Sequence, residues 1–144
     1  MATATRNDPY SNFNFVVEIE GVIKGSFTEC TGLCSETEAI HYREGGDFGV
    51  RVLPGKTNYS AITLKRGITA DLSLWNWYKA TAQGRPDRRS GSITLLDGDR
   101  KPVARWTFVE GWPAKYCGPT LNAAGNDIAI ETLEIVHERL ERES

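Results

Sequence analysis

The chain is poor in cysteine, in long apolar runs and in net charge, and each shortage excludes a class of protein. Its 144 residues include 3 cysteines, a sparse and odd count that argues against a disulfide framework and favours synthesis in the reducing cytoplasm. No apolar run approaches the roughly 20 residues of a membrane helix, so we expect no membrane anchor. With 17 basic and 19 acidic side chains, the chain offers no overall field to nucleic acid or to an anionic membrane.

The composition is that of a globular protein. Hydrophobic residues make up 40% and charged residues 25%, values that argue against disorder and coiled coils. We expect one domain over residues 1–144, with residues 1–10 as a flexible N-terminus. The start, MATATRNDPYSNF, lacks the pattern of a secretory signal, so release from a cell would need another route.

One segment shares three residues with a phosphate-binding loop. Gly55, Lys56 and Thr57 match the end of a Walker motif, but the motif needs a glycine five residues before Gly55, where this chain has Val50. The residues after Lys56 have a strand-like pattern, whereas a phosphate site needs a helix N-terminus there. We therefore predict no nucleotide site and no cofactor.

Other candidate catalytic and metal-binding residues are few. His41 and His137 lie in charged, strand-like settings and are expected at the surface, and the chain contains no G-x-S-x-G nucleophile elbow. Cys30, Cys34 and Cys117 provide one closely spaced pair, whereas a structural zinc site usually needs two. We expect these thiols to be buried as small hydrophobic groups. The sequence thus predicts no catalytic residue and no metal ligand, and a small hydrolase or nucleotide-binding enzyme is the disfavoured rival.

Alternating apolar and polar residues predict a mainly β protein. Asp97-Gly98-Asp99 has the composition of a hairpin turn. The last segment has helical spacing as well, but closure of a sheet favours a strand there. The predicted strands cover residues 13–20, 22–31, 35–43, 62–65, 92–96, 103–109 and 127–138, with a charged loop at 85–89 and a long connection at 111–126. The predicted fold is an antiparallel β-sandwich or barrel with one flanking helix.

The predicted helix covers residues 69–84. Thr69 or Asp71 is suited to cap its start, and Gly84 suits the left-handed residue after its end. Trp75, Trp77 and Tyr78 present too much aromatic area for solvent. We expect this helix to cover a sheet or to lie in a seam between subunits.

A long arm within residues 41–67 is the most unusual segment. It is predicted to lack regular structure over residues 41–60 and to turn at Pro54-Gly55. A free, solvated loop has little use for its apolar side chains, which are Phe48, Val50, Val52, Leu53 and Tyr59. We therefore expect another protein surface, most simply a second copy of the chain, to order this arm.

Several segments together resemble the tail tube protein family of contractile phage tails and phage-tail-like contractile injection systems. They are NDPYSNFNFVVEIEG, GSFTECTGL, REGGDFGVRVLPGKTNYSAITLKRGIT, DLSLWNWYKAT, LLDGDRKPVARWTFVEGWPAKYCGPTLNA and IAIETLEIVHERLE, in uninterrupted order. The resemblance implies a ring-forming tail tube fold whose sheets join edge to edge. It implies a structural protein, not an enzyme, whose hexameric rings stack into a hollow tube.

The resemblance also implies partners and a location. The tube would be driven through a target envelope and conduct DNA or protein cargo in its lumen. Its partners would be further copies of itself, the sheath, the baseplate and tube-initiator proteins, the tape measure protein and a terminal cap. Assembly would occur in a phage tail or phage-tail-like particle, with extracellular release as a further option. The alternative within the family is a single-ring tube initiator or terminal adaptor.

The resemblance assigns a role to the arm. Contacts between subunits and between rings would involve Glu44, Gly45, Gly46, Asp47, Phe48, Gly49, Val52, Leu53 and Tyr59, with the glycines allowing the backbone to turn. The polar strand faces suggest lumen-lining candidates, which are Glu18, Glu20, Glu36 and Glu38.

Overall fold

A computed structural model of the chain describes residues 8–46 and 48–144. Residues 1–7 of the predicted flexible N-terminus and Asp47 of the predicted arm lie outside these residues. The described elements are β1 (Phe15–Ile19), β2 (Ile23–Gly25), β3 (Glu29–Thr31), β4 (Ser35–Tyr42), β5 (Arg51–Tyr59), β6 (Ile62–Gly67), α1 (Ser73–Ala82), β7 (Arg89–Leu96), β8 (Pro102–Cys117), β9 (Ile130–Val136) and β10 (Arg139–Arg142). The prediction of a mainly antiparallel β fold with one helix is confirmed.

Eight strands form one antiparallel sheet, in the order β2-β1-β7-β8-β9-β6-β3, and β10 also pairs with β8. Strands β4 and β5 pair with each other as a separate two-stranded ribbon. Two hairpins follow from local sequence: β1 returns as β2 through Gly21, which has φ +71°, and β7 returns as β8 through the predicted Asp97 turn. The Asp97 carboxylate accepts hydrogen bonds from the backbone N–H groups of Asp99 and Lys101, both at 2.9 Å.

The long strand β8 connects two parts of the sheet. Its first part pairs with β7 and β10, and its second part, from Trp112 onward, pairs with β9. Between them Glu110 has φ +54°, an uncommon value for a non-glycine residue, and Gly111 follows it. The irregular backbone at this point lets one strand serve both parts.

The core lies between these two parts of the sheet and the helix. One part contributes Val17, Ile19, Ile93 and Phe108, the other contributes Ile62, Leu64, Leu133 and Ile135, and α1 adds Leu74 and Trp77. These side chains alternate with more exposed ones along their strands, which is the period-2 pattern expected when one face of a strand is buried.

Several predicted boundaries were wrong. The second strand is not continuous, because β2 pairs with β1 whereas β3 pairs with β6, and the chain between them crosses the core with Phe27 buried. Strand β2 ends at Gly25. Strand β7 begins at Arg89, earlier than predicted, because the end of the charged loop joins the ladder with β8.

The largest correction concerns the arm. Residues 51–59 form β5, which pairs with β4 from Ser35–Tyr59 to Tyr42–Arg51. Pro54 and Gly55 lie inside β5 and do not form the turn, which instead lies between Tyr42 and Arg51. Proline is tolerated here because the ribbon has open edges, where a missing N–H need not break a ladder.

In the C-terminal half, the structure differs from the predicted elements at two further places. The predicted connection at residues 111–126 is wrong in its first part, because β8 continues to Cys117 and the irregular stretch follows it. The strand prediction near the C-terminus is confirmed by Ile130–Val136, and the helical alternative is wrong. Strand β10 was not predicted, because its four residues show no clear alternation.

The helix is shorter than predicted, starting at Ser73 and ending at Ala82. Its N-cap is Leu72, and the Asp71 carboxylate accepts a hydrogen bond from the Ser73 N–H at 3.0 Å, one position upstream of the usual cap. Gly84 has φ +81°, as predicted for the residue after the helix end. Across the described residues, no helix has the length and apolar character needed to cross a membrane.

Candidate assembly surfaces

The ribbon of β4 and β5, with the loop between them, is almost entirely exposed in the described chain. Every residue of β4 is exposed, and seven of the nine residues of β5 are exposed. Two-stranded ribbons are marginally stable in water by themselves. We call residues 35–59 the arm ribbon.

The arm ribbon places most of the predicted contact residues together. Glu44, Gly45, Gly46, Phe48 and Gly49 lie in its loop, where Gly46 has φ +100° and the Tyr42 hydroxyl donates to Glu44 Oε1 at 2.7 Å. Phe48 has a relative exposure of 105%, so its ring has essentially no cover from the described chain. Val52 and Leu53 lie further along β5 and are also exposed, as are Ile40 and Val50.

Tyr59 lies elsewhere, at the base of the arm ribbon. Its ring is 5.8 Å from the imidazole of His137, which is itself 5.9 Å from the buried ring of Phe108. His137 Nε2 donates to the Ser60 carbonyl at 3.0 Å, because a carbonyl oxygen can only accept. The prediction of a surface histidine is therefore wrong for His137, which is half-buried, whereas His41 is exposed on β4.

A polar face covers the outside of β1, β7, β8 and β10. In register across these strands lie Glu18, Ser92, Thr107 and Glu141. The concavity over this row is also lined by Glu20, Arg105 and Arg139, so carboxylates and guanidinium groups are mixed there. Two of the four lumen candidates, Glu18 and Glu20, therefore share one surface.

The other two lumen candidates lie on the arm ribbon. Glu36 and Glu38 are both exposed on β4, and Glu36 pairs with Asn58 of β5. The ladder shifts register between Thr37 and Ala39. The structure thus separates the four carboxylates: Glu18 and Glu20 lie on and just after β1 of the large sheet, and Glu36 and Glu38 lie on the arm ribbon.

The helix has a buried side and an exposed side. Leu74 and Trp77 are buried, and the Trp77 indole N–H donates to the Asp87 carbonyl at 2.7 Å. Trp75 remains 41% exposed and packs edge-on against Tyr116, with ring centroids 5.2 Å apart. As predicted, the helix covers the sheet, and the exposed side leaves an apolar surface around Trp75 and Leu72.

A buried polar network links the start of the helix to the sheet. Sequence analysis did not predict it. Glu131 accepts hydrogen bonds from Arg66 Nε and, at 2.6 Å, from the Tyr116 hydroxyl. Arg66 also donates to the Asp71 carboxylate at 3.1 Å and to the Asp71 carbonyl at 3.3 Å. Arg66 and Glu131 are both buried although each carries a formal charge, so their pairing offsets the cost of desolvation.

The network changes the acidity of two groups. Burial, and then the hydrogen bond to Glu131, raise the pKa of Tyr116 to about 12. Hydrogen bonds from Ser73, and to a smaller extent the Arg66 guanidinium, lower the pKa of Asp71. The only sequence signal for the network was a pair of charged residues, Arg66 and Glu131, at positions where strand alternation requires burial.

The thiols differ from one another. Burial raises the pKa of Cys30 to about 11, as expected for a small hydrophobic group beside the core. Cys34 and Cys117 are exposed, so the prediction of burial is wrong for both of them. Among the described residues, no group of three or more His, Cys, Asp or Glu side chains is placed to hold a metal ion.

Comparisons with known proteins identify a matching family and similar structures. The model of the family described as T4-like virus tail tube protein gp19 matches residues 11–141. A comparison with curated protein sequences finds no match.

Three solved structures share the fold at low sequence identity. A chain of the PVC sheath-tube complex, an extracellular contractile injection system in its extended state, is 22% identical with a TM-score of 0.86, covering 94% of this chain and 92% of that one. A chain from the baseplate of the anti-feeding prophage is 22% identical with a TM-score of 0.85, covering 95% and 97%. A chain from the cap of the anti-feeding prophage is 21% identical with a TM-score of 0.90, covering 99% and 96%. Because the family model covers nearly the whole chain, the protein belongs to the T4-like virus tail tube protein family.

Proposed function

We propose that the protein is the structural inner tube subunit of a contractile tail or injection particle. Residues 1–144 act as a single tail tube domain whose copies form hexameric rings that stack into a hollow tube. The chain belongs to the tail tube family, and the observation that carries this proposal is its arm ribbon. Phe48 and its apolar neighbours on the arm ribbon have little cover from the rest of the described chain. Exposed apolar side chains of this kind mark protein interaction surfaces.

The arm ribbon makes the contacts between subunits and between rings. Its contact residues are Glu44, Gly45, Gly46, Asp47, Phe48, Gly49, Val52 and Leu53, with Tyr59 fixing the base. A contact between different surfaces of identical copies closes into a ring if its rotation closes, and a second contact along the axis extends the ring into a filament. One protruding ribbon per copy suits this heterologous arrangement.

The bore carries a polar lining to which Glu18, Glu20, Glu36 and Glu38 contribute. Since Glu18 and Glu20 lie at β1 and Glu36 and Glu38 lie on the arm ribbon, the lining includes surfaces of both, brought together by neighbouring copies. A polar lining keeps the bore hydrated, and cargo of DNA or protein can pass without adhering to apolar surface.

The partners follow from the particle. They are the sheath outside the tube, the baseplate and tube-initiator proteins at one end, the terminal cap at the other, and the tape measure protein and cargo inside. Similarity to chains from sheath-tube, baseplate and cap structures supports this assignment. The protein is synthesised in the cytoplasm, works without catalysis, and leaves the cell as part of the particle.

A single-ring role is the second candidate. The fold of this chain is as similar to chains from a cap structure and a baseplate structure as it is to a chain from a sheath-tube complex. A tube initiator or terminal adaptor would form one ring and stop there.

Negative-stain electron microscopy of the concentrated protein distinguishes these functions. We expect rings and hollow tubes of uniform width. Rings that never stack, at any concentration, would assign the single-ring role. A protein that stays monomeric even when baseplate proteins are added would contradict both.

A further inference from the structure

The arm ribbon is joined to the rest of the subunit through two short chain segments. Residues 32–34 lead from β3 into β4, and residues 60–61 lead from β5 back into β6. Because β3 pairs with β6 and β4 pairs with β5, the two segments run side by side. Rigid parts of a protein turn about a few such residues. Any swing of the arm ribbon as one body must therefore occur here.

The two segments contact each other through backbone atoms. Gly32 has φ +93°, and a Cβ built on it would overlap the Ala61 carbonyl oxygen and lie 2.9 Å from the carbonyl carbon, so the position requires glycine. The Ser60 N–H donates to the Cys34 carbonyl at 3.2 Å. These contacts hold the segments together, but they do not set the angle between the arm ribbon and the large sheet.

His137, directly after β9, supplies a contact that does. Its Nε2 donates to the Ser60 carbonyl at 3.0 Å. Its ring packs against Tyr59 of the arm ribbon, with centroids 5.8 Å apart, and against Phe108, with centroids 5.9 Å apart. Phe108 is fully buried, so it cannot shift easily. His137 thus links the base of the arm ribbon to the core of the subunit.

The second ring nitrogen of His137 shows why the first one matters. Nδ1 is buried and has no hydrogen-bond partner among the described residues. Because Nε2 donates, Nδ1 of the neutral ring is an acceptor, and a buried acceptor without a donor destabilises a fold. A phenylalanine would pack against the same two aromatic rings without this cost. What the imidazole adds is the hydrogen bond to Ser60.

We propose that His137 is a positioning residue for assembly, which fixes the direction of the arm ribbon in the free subunit. The arm ribbon then meets a neighbouring copy in the orientation that assembly needs, and less conformational freedom is lost on contact. This inference rests on the proposed function and separates two tasks. His137 sets the angle of the arm ribbon before assembly, and Phe48 with its exposed apolar neighbours makes the contact.

The direction of the arm ribbon can be measured in the free subunit. Residual dipolar couplings, recorded on dilute Phe48→Ala subunits to prevent assembly, compare the backbone of β4 and β5 with that of β1, β7 and β8. With His137 intact, we expect both sets of couplings to fit one alignment tensor. With His137→Phe added, the couplings of the arm ribbon should fall well below those of the sheet, because the ribbon then swings as one body.

Assembly should be impaired although the stability of the subunit is not. Because His137→Phe removes the unpaired Nδ1, urea denaturation should find this variant at least as stable as the wild type. The protein concentration at which tubes appear in sedimentation should nevertheless rise about tenfold, since the arm ribbon must be ordered at the moment of contact. A residue with a purely structural role would lower stability and assembly together.

Three further variants isolate the contact. His137→Gln places an amide N–H near the position of the imidazole Nε2 and should restore most of the assembly that His137→Phe loses. Glu138→Gln changes the exposed neighbour of His137 and should leave assembly and arm direction unchanged. Tyr59→Leu removes the ring contact from the arm side and should free the arm ribbon as His137→Phe does.

Three results would overturn this role for His137. They are arm couplings of full size in His137→Phe or, should that variant not fold, in Tyr59→Leu; assembly of His137→Phe at the wild-type concentration; and a loss of assembly in His137→Gln as large as in His137→Phe. Wild-type protein that forms no rings would contradict the proposed function. In that case the dipolar couplings still decide whether His137 fixes the direction of the arm ribbon.

Discussion

The ring of Phe108 fills the space that a side chain on Gly91 would need. A Cβ built on Gly91 would lie 2.7 Å from Phe108 Cε1 and 2.8 Å from the Glu18 carbonyl oxygen, and a Cβ on Gly111 would lie 2.7 Å from Phe108 Cδ2. Phe108 is fully buried, at the place where the two parts of the sheet share β8. The two glycines therefore allow one large aromatic ring to pack against bare backbone.

Gly91→Ala should destabilise the fold. Neither Phe108 nor the Glu18 backbone can move freely, so we expect a loss of about 1–3 kcal/mol in the free energy of unfolding, typical of overpacking. Urea denaturation followed by tryptophan fluorescence measures it. Gly98→Ala is the matched control, because nothing lies within 4 Å of a Cβ there, and it should change stability by less than about 1 kcal/mol. Equal stability of both variants would contradict this packing.

Phe48→Ala should reduce assembly while leaving the subunit folded. The Phe48 ring has no cover from the described chain, so its removal costs the monomer little, whereas an interface would lose an aromatic anchor worth at least about 2 kcal/mol. Sedimentation and electron microscopy measure the yield of tubes, and circular dichroism checks the fold.

The control for Phe48→Ala is Phe13→Ala, a change at another exposed phenylalanine, with 72% exposure, outside the arm ribbon. Its tube yield should match the wild type. A normal yield of long tubes from Phe48→Ala would remove this side chain from the interface.

Glu131→Gln should destabilise the subunit strongly. The substitution removes the negative charge that offsets the desolvation of the buried Arg66 guanidinium. Removal of one partner from a buried ion pair typically costs about 3–5 kcal/mol in the free energy of unfolding. The comparison is Glu29→Gln, which removes the exposed partner of Lys65 and should cost less than about 1 kcal/mol. Thermal unfolding of the two variants measures both losses of stability. Equal losses for Glu131→Gln and Glu29→Gln would refute the stabilising role of the network.

The three thiols should differ in reactivity. At pH 8, a maleimide should label Cys34 and Cys117 of the free subunit, whereas the high pKa and burial of Cys30 protect it. Mass spectrometry should find two labels on the native protein and a third after denaturation. A native protein that takes up the third label at the same rate would show that Cys30 is accessible.

Local sequence patterns were sufficient for several elements. Strict alternation identified β1, and acidic turn residues around Gly98 identified the hairpin between β7 and β8. Gly84 marked the helix end correctly, because a positive φ favours glycine whatever the rest of the chain does. Each of these signals acts within a few residues.

Strand β5 was hidden because its local signals favour a turn. Pro54 and Gly55 are typical turn residues, and only pairing with β4 makes them part of a strand. The partner change between β2 and β3 has the same origin, since no local signal tells which distant strand a segment will pair with.

Sequence patterns were enough to predict the class of fold, the apolar arm and, through a resemblance across nearly the whole chain, the tail tube family. Only folding brings Arg66 to Glu131, 65 positions away, and the imidazole of His137 to the Ser60 carbonyl. Both depend on strand register, which places residues far apart in sequence side by side. Register is set by the packing of the whole core, so it lies beyond the reach of local patterns.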